Sequence, residues 1–111
     1  ILLALPVYNY ATNAAAKNLV ELTGADVWSG KVAGFLVTAG GGASYLSVMG
    51  LANSLMVDFR TLIVPRFVYA TGAAIADGAI VDPEVAGRVG KLCREFRELT
   101  RAARPVLAGK E

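Results

Sequence analysis

Two short stretches of the chain combine residue types that could hold a planar, partly polar ligand. The aromatic stretch, residues 6–10, reads PVYNY and offers two tyrosine rings beside Asn9, whose amide can both donate and accept hydrogen bonds. The glycine run, residues 39–44, reads AGGGAS and offers backbone N–H groups that a ligand can approach closely. Each stretch follows an apolar run, so we expect both to lie at the ends of buried strands.

Both stretches also have a purely structural interpretation. The glycines could only permit a turn with positive φ, and the tyrosines could be packing residues. Three glycines between a strand and a helix favour a ligand that backbone approaches closely. The run lacks the Lys and Ser or Thr of a Walker loop and is not GxGxxG, so we do not expect it to bind a triphosphate.

The residue inventory excludes several common catalytic devices. The chain has no histidine and one cysteine, Cys93. The usual zinc spacings, Ser-His-Asp triads, Cys-His pairs and an internal disulfide therefore lack their residues. We predict no catalytic side chain and no metal site, and if the chain belongs to an enzyme we expect a cofactor to carry the chemistry.

Composition and charge predict one compact globular unit. The 111 residues are 55% hydrophobic and carry a net charge of +2, and the longest apolar runs are far shorter than the ~20 residues of a membrane-spanning helix. No signal segment is visible, so we expect a cytoplasmic protein without a membrane partner. Eight of the eleven Lys and Arg residues lie from Arg66 onward, most of them interleaved with Glu95 and Glu98, and from Arg88 onward the sequence has one aromatic residue, Phe96. That pattern indicates a solvated helix face and no nucleic-acid surface.

The hydrophobic pattern predicts three strands alternating with three helices. The strands are expected at residues 1–5, 32–38 and 61–64, the last followed by extended residues 67–69. The helices are expected to run from a cap at Asn13 to a stop at Gly24, from Ser44 to Phe59, and from a cap at Asp82 to Pro105. Loops or turns are expected at residues 7–12, 28–31 and 72–78. Residues 1–5 are continuously apolar, as in a strand buried on both faces, and the alternation of strands with helices indicates an α/β fold with a parallel sheet.

The parallel sheet places the two stretches at one edge. Carboxyl ends of parallel strands meet at the same edge, and ligands of open α/β sheets bind there, where the strand order reverses. Three strands are few for a sheet that is covered on both faces. We therefore expect an N-terminal portion of two strand–helix units, about 60 residues, before Ile1.

Four segments resemble the NAD(P)H-dependent FMN reductases of the flavodoxin-like superfamily, a group that includes quinone, chromate and azo-dye reductases. These segments are PVYNYATNAAAKN, WSGK, TAGGGAS and LIVPRFVY, and the resemblance extends over essentially all 111 residues. The family pattern is matched at Pro6, Tyr8, Asn9, Lys17 and Asn18. It is not matched at Val7, Asn13 and Ala16, where Glu, Pro and Leu are common.

The resemblance implies a three-layer α/β/α sheet with strand order 2-1-3-4-5. Residues 1–111 would be the C-terminal portion of a single flavodoxin-like FMN-binding domain and contain strands three to five. The implied cofactors are FMN and NAD(P)H. The residues implied to bind FMN are Pro6, Val7, Tyr8, Asn9 and Tyr10 along the isoalloxazine ring, and Thr38, Ala39, Gly40, Gly41 and Gly42 at its pyrimidine edge.

The function implied is hydride transfer from NAD(P)H through N5 of FMN to a small-molecule acceptor such as a quinone, free flavin or another oxidant. Two alternatives stay open. One is a flavin-binding electron carrier without its own NAD(P)H reaction, although small carriers of that kind are usually acidic around the flavin. The other is a non-enzymatic receiver-type domain, which would need an acidic cluster at the strand ends. The segment after the glycine run is apolar on more than one face, so either other parts of the same subunit or a second copy should cover it. The resemblance implies a homodimer or homotetramer.

Overall fold

A mostly parallel sheet with helices on both faces organises residues 1–108, the part of the chain that this computed structural model describes. The elements in chain order are β1 (Leu2–Tyr8), β2 (Ala11–Thr12), α1 (Ala14–Trp28), β3 (Val32–Ala39), α2 (Met49–Phe59), β4 (Leu62–Ile63), β5 (Val68–Thr71), β6 (Ile75–Ala76), β7 (Ala79–Ile80) and α3 (Pro83–Ala108). The predicted α/β class is confirmed. Residues 109–111, which the predicted domain includes, lie outside the described residues.

Strand β3 lies at the centre of the sheet. β1 pairs with it in parallel on one side, from Leu2 opposite Gly34 to Pro6 opposite Thr38. β4 and β5 both pair with it in parallel on the other side. The order β1, β3, β4/β5 is the order expected for strands three to five of the 2-1-3-4-5 arrangement.

The side chains of β3 alternate between two hydrophobic cores, because successive residues of a strand point to opposite faces. Phe35 and Val37 face α1 and α2, together with Leu55 and Trp28. Val32 and Leu36 face α3, whose apolar side chains fill the second core. The α3 residues predicted to share one face all belong to that core: Val85, Val89, Leu92, Phe96, Leu99 and Ala103. This two-sided burial explains why residues 32–37 of the strand are all apolar.

The first strand is longer than predicted. It continues through Pro6 to Tyr8, and residues 7–12, predicted as a loop, form a hairpin in which Tyr8 pairs with Ala11. A proline is tolerated where the neighbouring strand does not need its N–H. Asn9 and Tyr10 have φ values of 53° and 63°, as a two-residue hairpin turn of type I′ requires.

The first helix does not end at Gly24. Gly24 interrupts it with φ of 60° and ψ of −158°, but the helix resumes and runs to Trp28. Trp28, predicted in a surface turn, is only 1% exposed, and its indole N–H donates to Thr23 Oγ1 at 2.8 Å. Burial of this large ring stabilises the continuation of the helix beyond Gly24. Asn13 occupies the N-cap position, as predicted, but its side chain makes no capping hydrogen bond.

The start of the second helix and the extent of the third predicted strand also differ from prediction. Helix α2 begins at Met49 and not at Ser44, because residues 42–44 form a 3₁₀ turn and the next four residues are a turn. The predicted third strand is divided into β4 and β5. Pro65 lies between them, since it cannot donate a backbone hydrogen bond to the sheet.

The C-terminal third contains one element that was missed and one that is longer than predicted. Residues 72–78 were predicted as a loop, but β6 and β7 form a hairpin whose Asp77 and Gly78 have φ values of 52° and 74°. The Asp-Gly pair was the available signal. Helix α3 begins as predicted, with the Glu84 N–H donating to Asp82 Oδ1 at 2.8 Å. It does not end at Pro105, because Leu107 beyond that residue still packs against the second core.

Candidate flavin site at the carboxyl ends of β1 and β3

The structure brings the aromatic stretch and the glycine run to neighbouring strand ends. Pro6 pairs with Thr38, so the residues that follow each of them leave the same edge of the sheet side by side. Adjacent strands lie roughly 4.8 Å apart. The juxtaposition expected from a parallel sheet is therefore present.

The aromatic stretch presents its rings to solvent. Pro6 and Val7 are half-buried, whereas Tyr8 is 62% exposed and Tyr10 is 68% exposed. The hairpin turn at Asn9 and Tyr10 fixes the direction in which the chain reverses. Two aromatic faces are thus held on a short, regular hairpin and are not used by either hydrophobic core.

The backbone conformation of the glycine run does not require glycine. None of Gly40, Gly41 and Gly42 has positive φ, and Gly41 is extended, with φ of −149° and ψ of 179°. A Cβ built on any of the three would meet nothing within 4 Å. Neither a tight turn nor close packing within the described residues explains the three glycines. The space above their backbone is open, which is the condition for a ligand to approach the N–H groups.

Strand β5 anchors the glycine run from the other side. The Tyr69 hydroxyl donates a hydrogen bond to the carbonyl oxygen of Gly41. The Tyr45 ring contacts both the Phe67 ring, at 4.9 Å between centroids, and the Tyr69 ring, at 5.6 Å. Sequence reasoning missed Tyr69, although a tyrosine in a buried strand needs a partner for its hydroxyl.

Two buried polar atoms near this edge lack hydrogen-bond partners within residues 1–108. Asn13 Oδ1 follows the hairpin of the aromatic stretch, and Ser47 Oγ follows the glycine run. Buried polar atoms are usually paired, because an unpaired one costs about 1–3 kcal/mol. Each therefore has unused hydrogen-bonding capacity beside the stretch that it follows.

This arrangement fits a planar heteroaromatic group with a polar edge. The exposed tyrosines could contact a ring face, and the backbone of residues 39–42 could donate to ring oxygens and nitrogens. Residues 1–108 contain no group of three or more His, Cys, Asp or Glu side chains that could hold a metal ion. None of their helices combines the length and apolar character needed to cross a membrane.

The parallel sheet with helices on both faces indicates a flavodoxin-like α/β fold, and comparison with solved structures supports this class. A structure of an NADH:FMN oxidoreductase in its apo form superposes with a TM-score of 0.67 at 19% identity, covering 86% of this chain and 50% of that one. An oxidoreductase from Corynebacterium diphtheriae superposes with a TM-score of 0.66 at 20% identity, covering 99% and 56%. The chain thus spans about half the length of these solved structures. At these identities the likeness establishes the fold, and the predicted flavodoxin-like class is confirmed.

The sequence itself specifies the family. The family model described as NADPH-dependent FMN reductase matches residues 1–75, which include the aromatic stretch and the glycine run. The chain belongs to this family, as the resemblance predicted. No curated protein sequence gave a significant match.

Proposed function

We propose that residues 1–111 are the C-terminal portion of a single FMN-binding domain in an NAD(P)H-dependent oxidoreductase. The observation that carries the proposal is the glycine run, whose three glycines have neither positive φ nor a close neighbour and leave open space above their backbone. Family membership supplies the ligand class that such a surface would take.

The residues proposed to bind FMN divide into two groups. Residues 6–10 would lie along the isoalloxazine ring, and the backbone N–H groups of residues 39–42 would donate to its pyrimidine edge, beyond Thr38. Bound FMN would supply hydride transfer at N5, from NAD(P)H to a quinone, free flavin or another oxidant. Donors at the pyrimidine edge would stabilise the negative charge that gathers there on reduction. The chain has no histidine, and the proposal requires no side chain as acid or base.

The exposed rings of Tyr8 and Tyr10 suggest how the second substrate is accommodated. Both rings stand free of the hydrophobic cores, so they can contact one face of the flavin ring without enclosing it. A flavin held in this way keeps one face accessible, and the nicotinamide and the acceptor would occupy that face in turn. An enclosed pocket would not permit this exchange.

Two measurements on the full-length protein test the proposal. Incubation with excess FMN, followed by removal of free flavin, should leave flavin absorbance bands with the protein. Steady-state oxidation of NADPH or NADH with FMN and a quinone should then show turnover. Flavin binding without NAD(P)H oxidation would favour an electron-carrier module, and absence of flavin binding would contradict the proposal.

We also propose that the protein is a homodimer or a dimer of dimers built on the outward face of α2 and the turn before it. Leu46 is 69% exposed, Met56 48% and Val57 78%, and Leu22 on the neighbouring α1 is 78% exposed. Exposed apolar side chains clustered on packed helices favour an interface between copies. Leu51 and Leu55 belong to the same apolar segment, but they are buried in the first core and cannot contribute to the interface.

A further inference from the structure

A cavity separate from the candidate flavin site lies beside β5, at the edge of the sheet opposite β1. It has a volume of about 680 Å³ and is bounded by the segment between β4 and β5, by the turn after the glycine run, and by one side of α3. The side chains that give it its chemical character are Tyr45, Arg66, Phe67, Arg88, Lys91 and Glu95. We name this cavity the edge pocket.

The edge pocket is physically linked to the glycine run. Tyr45 lines the pocket and contacts Tyr69, whose hydroxyl holds the Gly41 carbonyl. Along the sheet, Thr71 is level with Ala39, and Phe67 lies four residues below Thr71. At ~3.3 Å per residue this separation is about 13 Å. A ligand longer than this could reach from the flavin edge into the pocket.

The charges of the edge pocket favour an anion. Three cations and one carboxylate line it, and the Arg88 guanidinium pairs with Glu84. Arg66 and Lys91 form no ion pair within residues 1–108, and both side chains are exposed. Glu95 is the opposing charge. With Arg88 paired to Glu84, the charges of Arg66, Lys91 and Glu95 sum to +1, which favours an anionic group, and Arg and Lys are the usual phosphate ligands.

The edge pocket also offers aromatic surface. The Tyr45 and Phe67 rings are tilted by 35° at 4.9 Å between centroids, and both line the cavity. Flat rings beside unpaired cations match a ligand that carries a heteroaromatic base and a phosphate. A nucleotide has both parts, whereas a simple anion would not use the rings.

We propose that the edge pocket binds the phosphorylated adenosine end of the dinucleotide, and that Arg66 and Lys91 select NADPH over NADH. This inference rests on the proposed function. NADPH differs from NADH by one phosphate on the adenosine ribose, and a pocket with two unpaired cations discriminates on that group. The family is named for NADPH, whereas the similar oxidoreductase structure is named for NADH. Family membership therefore does not decide between the two dinucleotides, and the preference must follow from residues of this chain.

The test is direct binding of adenosine 2′,5′-bisphosphate and 5′-AMP to the full-length protein by isothermal titration calorimetry, without added FMN. We expect the bisphosphate to bind at least tenfold more tightly than 5′-AMP. Lys91→Gln should weaken the bisphosphate about fivefold, as loss of one charge at ~4 Å in water predicts, and Lys91→Arg should retain binding. Glu95→Gln should tighten it by a similar factor, because it removes the opposing charge.

Arg101→Gln is the matched control for these variants. It removes the same unit of charge from the same helix, ten residues beyond Lys91, which is about 15 Å along the axis and beyond the ~10 Å screening length at 0.1 M salt. It should leave both affinities unchanged.

Equal affinity for the two nucleotides would overturn the inference, as would equal loss in Lys91→Gln and Arg101→Gln. FMN uptake is measured on the same samples. Normal FMN uptake without preference for the bisphosphate would refute only the proposed role of the edge pocket. Absence of FMN uptake would refute the proposed function.

Discussion

Replacing Gly41 with Val should weaken FMN binding while leaving the free energy of unfolding almost unchanged. Gly41 is extended, a conformation that any residue adopts, and a Cβ at this position would meet nothing within 4 Å. Valine at this position therefore demands no disallowed φ. β-branched residues suit extended backbone, and the loss of glycine reduces the entropy of the unfolded chain. We expect the free energy of unfolding to change by less than about 1 kcal/mol.

The effect on FMN should be much larger. The two methyl groups of valine would occupy the open space above the glycine run, where a ring must approach the backbone N–H groups to accept their hydrogen bonds. A ring held away from this backbone leaves buried polar atoms without partners, which costs about 1–3 kcal/mol for each. The expected result is FMN binding weakened by between about fivefold and about 150-fold.

The assay combines FMN titration, followed by flavin fluorescence, with urea denaturation of the same samples. Gly87→Val is the matched control, because Gly87 lies in α3, is exposed, and also has no atom within 4 Å of an added Cβ. It should bind FMN normally. Full FMN affinity in Gly41→Val would show that the ring does not approach this backbone, and a large loss of stability would refute the reading of Gly41 as unstrained.

Three further predictions concern other parts of the chain. Tyr69→Phe removes the hydroxyl that donates to the Gly41 carbonyl. It should lower the free energy of unfolding by about 0.5–1.5 kcal/mol and weaken FMN binding severalfold. An unchanged FMN affinity would mean that this hydrogen bond does not position the glycine run. If the proposed dimer forms, Val57→Glu should convert it into a folded monomer, as measured by light scattering, whereas Leu55→Glu should unfold the protein, since Leu55 is fully buried. A monomeric unmodified protein would refute the proposed interface. Asp82→Ala should lower the free energy of unfolding in urea by about 1 kcal/mol through loss of the α3 cap, without changing FMN affinity; no loss would mean that the cap contributes nothing.

Local sequence determined those features that depend on a single element. Residues 32–37 of β3 are all apolar because both faces of the strand are buried there. The side chain of Asp82 specifies the start of α3 through a local capping hydrogen bond. The periodicity of α3 likewise identified the face that packs on the sheet. The aromatic stretch and the glycine run were recognisable because a strand followed by unusual residues needs no long-range information.

Tertiary contacts decided the boundaries that sequence reasoning placed wrongly. Gly24 and Pro105 are local signals for the end of a helix, yet both helices continue, because Trp28 and Leu107 bury apolar surface beyond them. Burial of a large apolar side chain contributes about 1.5–3 kcal/mol, which is comparable to the cost of a glycine or proline within a helix. Local propensity alone could not show which of the two effects would prevail.

The candidate site likewise depends on pairing between distant residues. The sequence identified residues 6–10 and 39–42 as candidates, but their proximity requires that β1 and β3 be neighbours in register, with Pro6 opposite Thr38. The anchoring of Gly41 by Tyr69 joins residues 28 positions apart, and the edge pocket joins Tyr45 to α3. Such contacts arise from strand order and packing, which local patterns do not encode, because a parallel pair is connected only through an intervening helix.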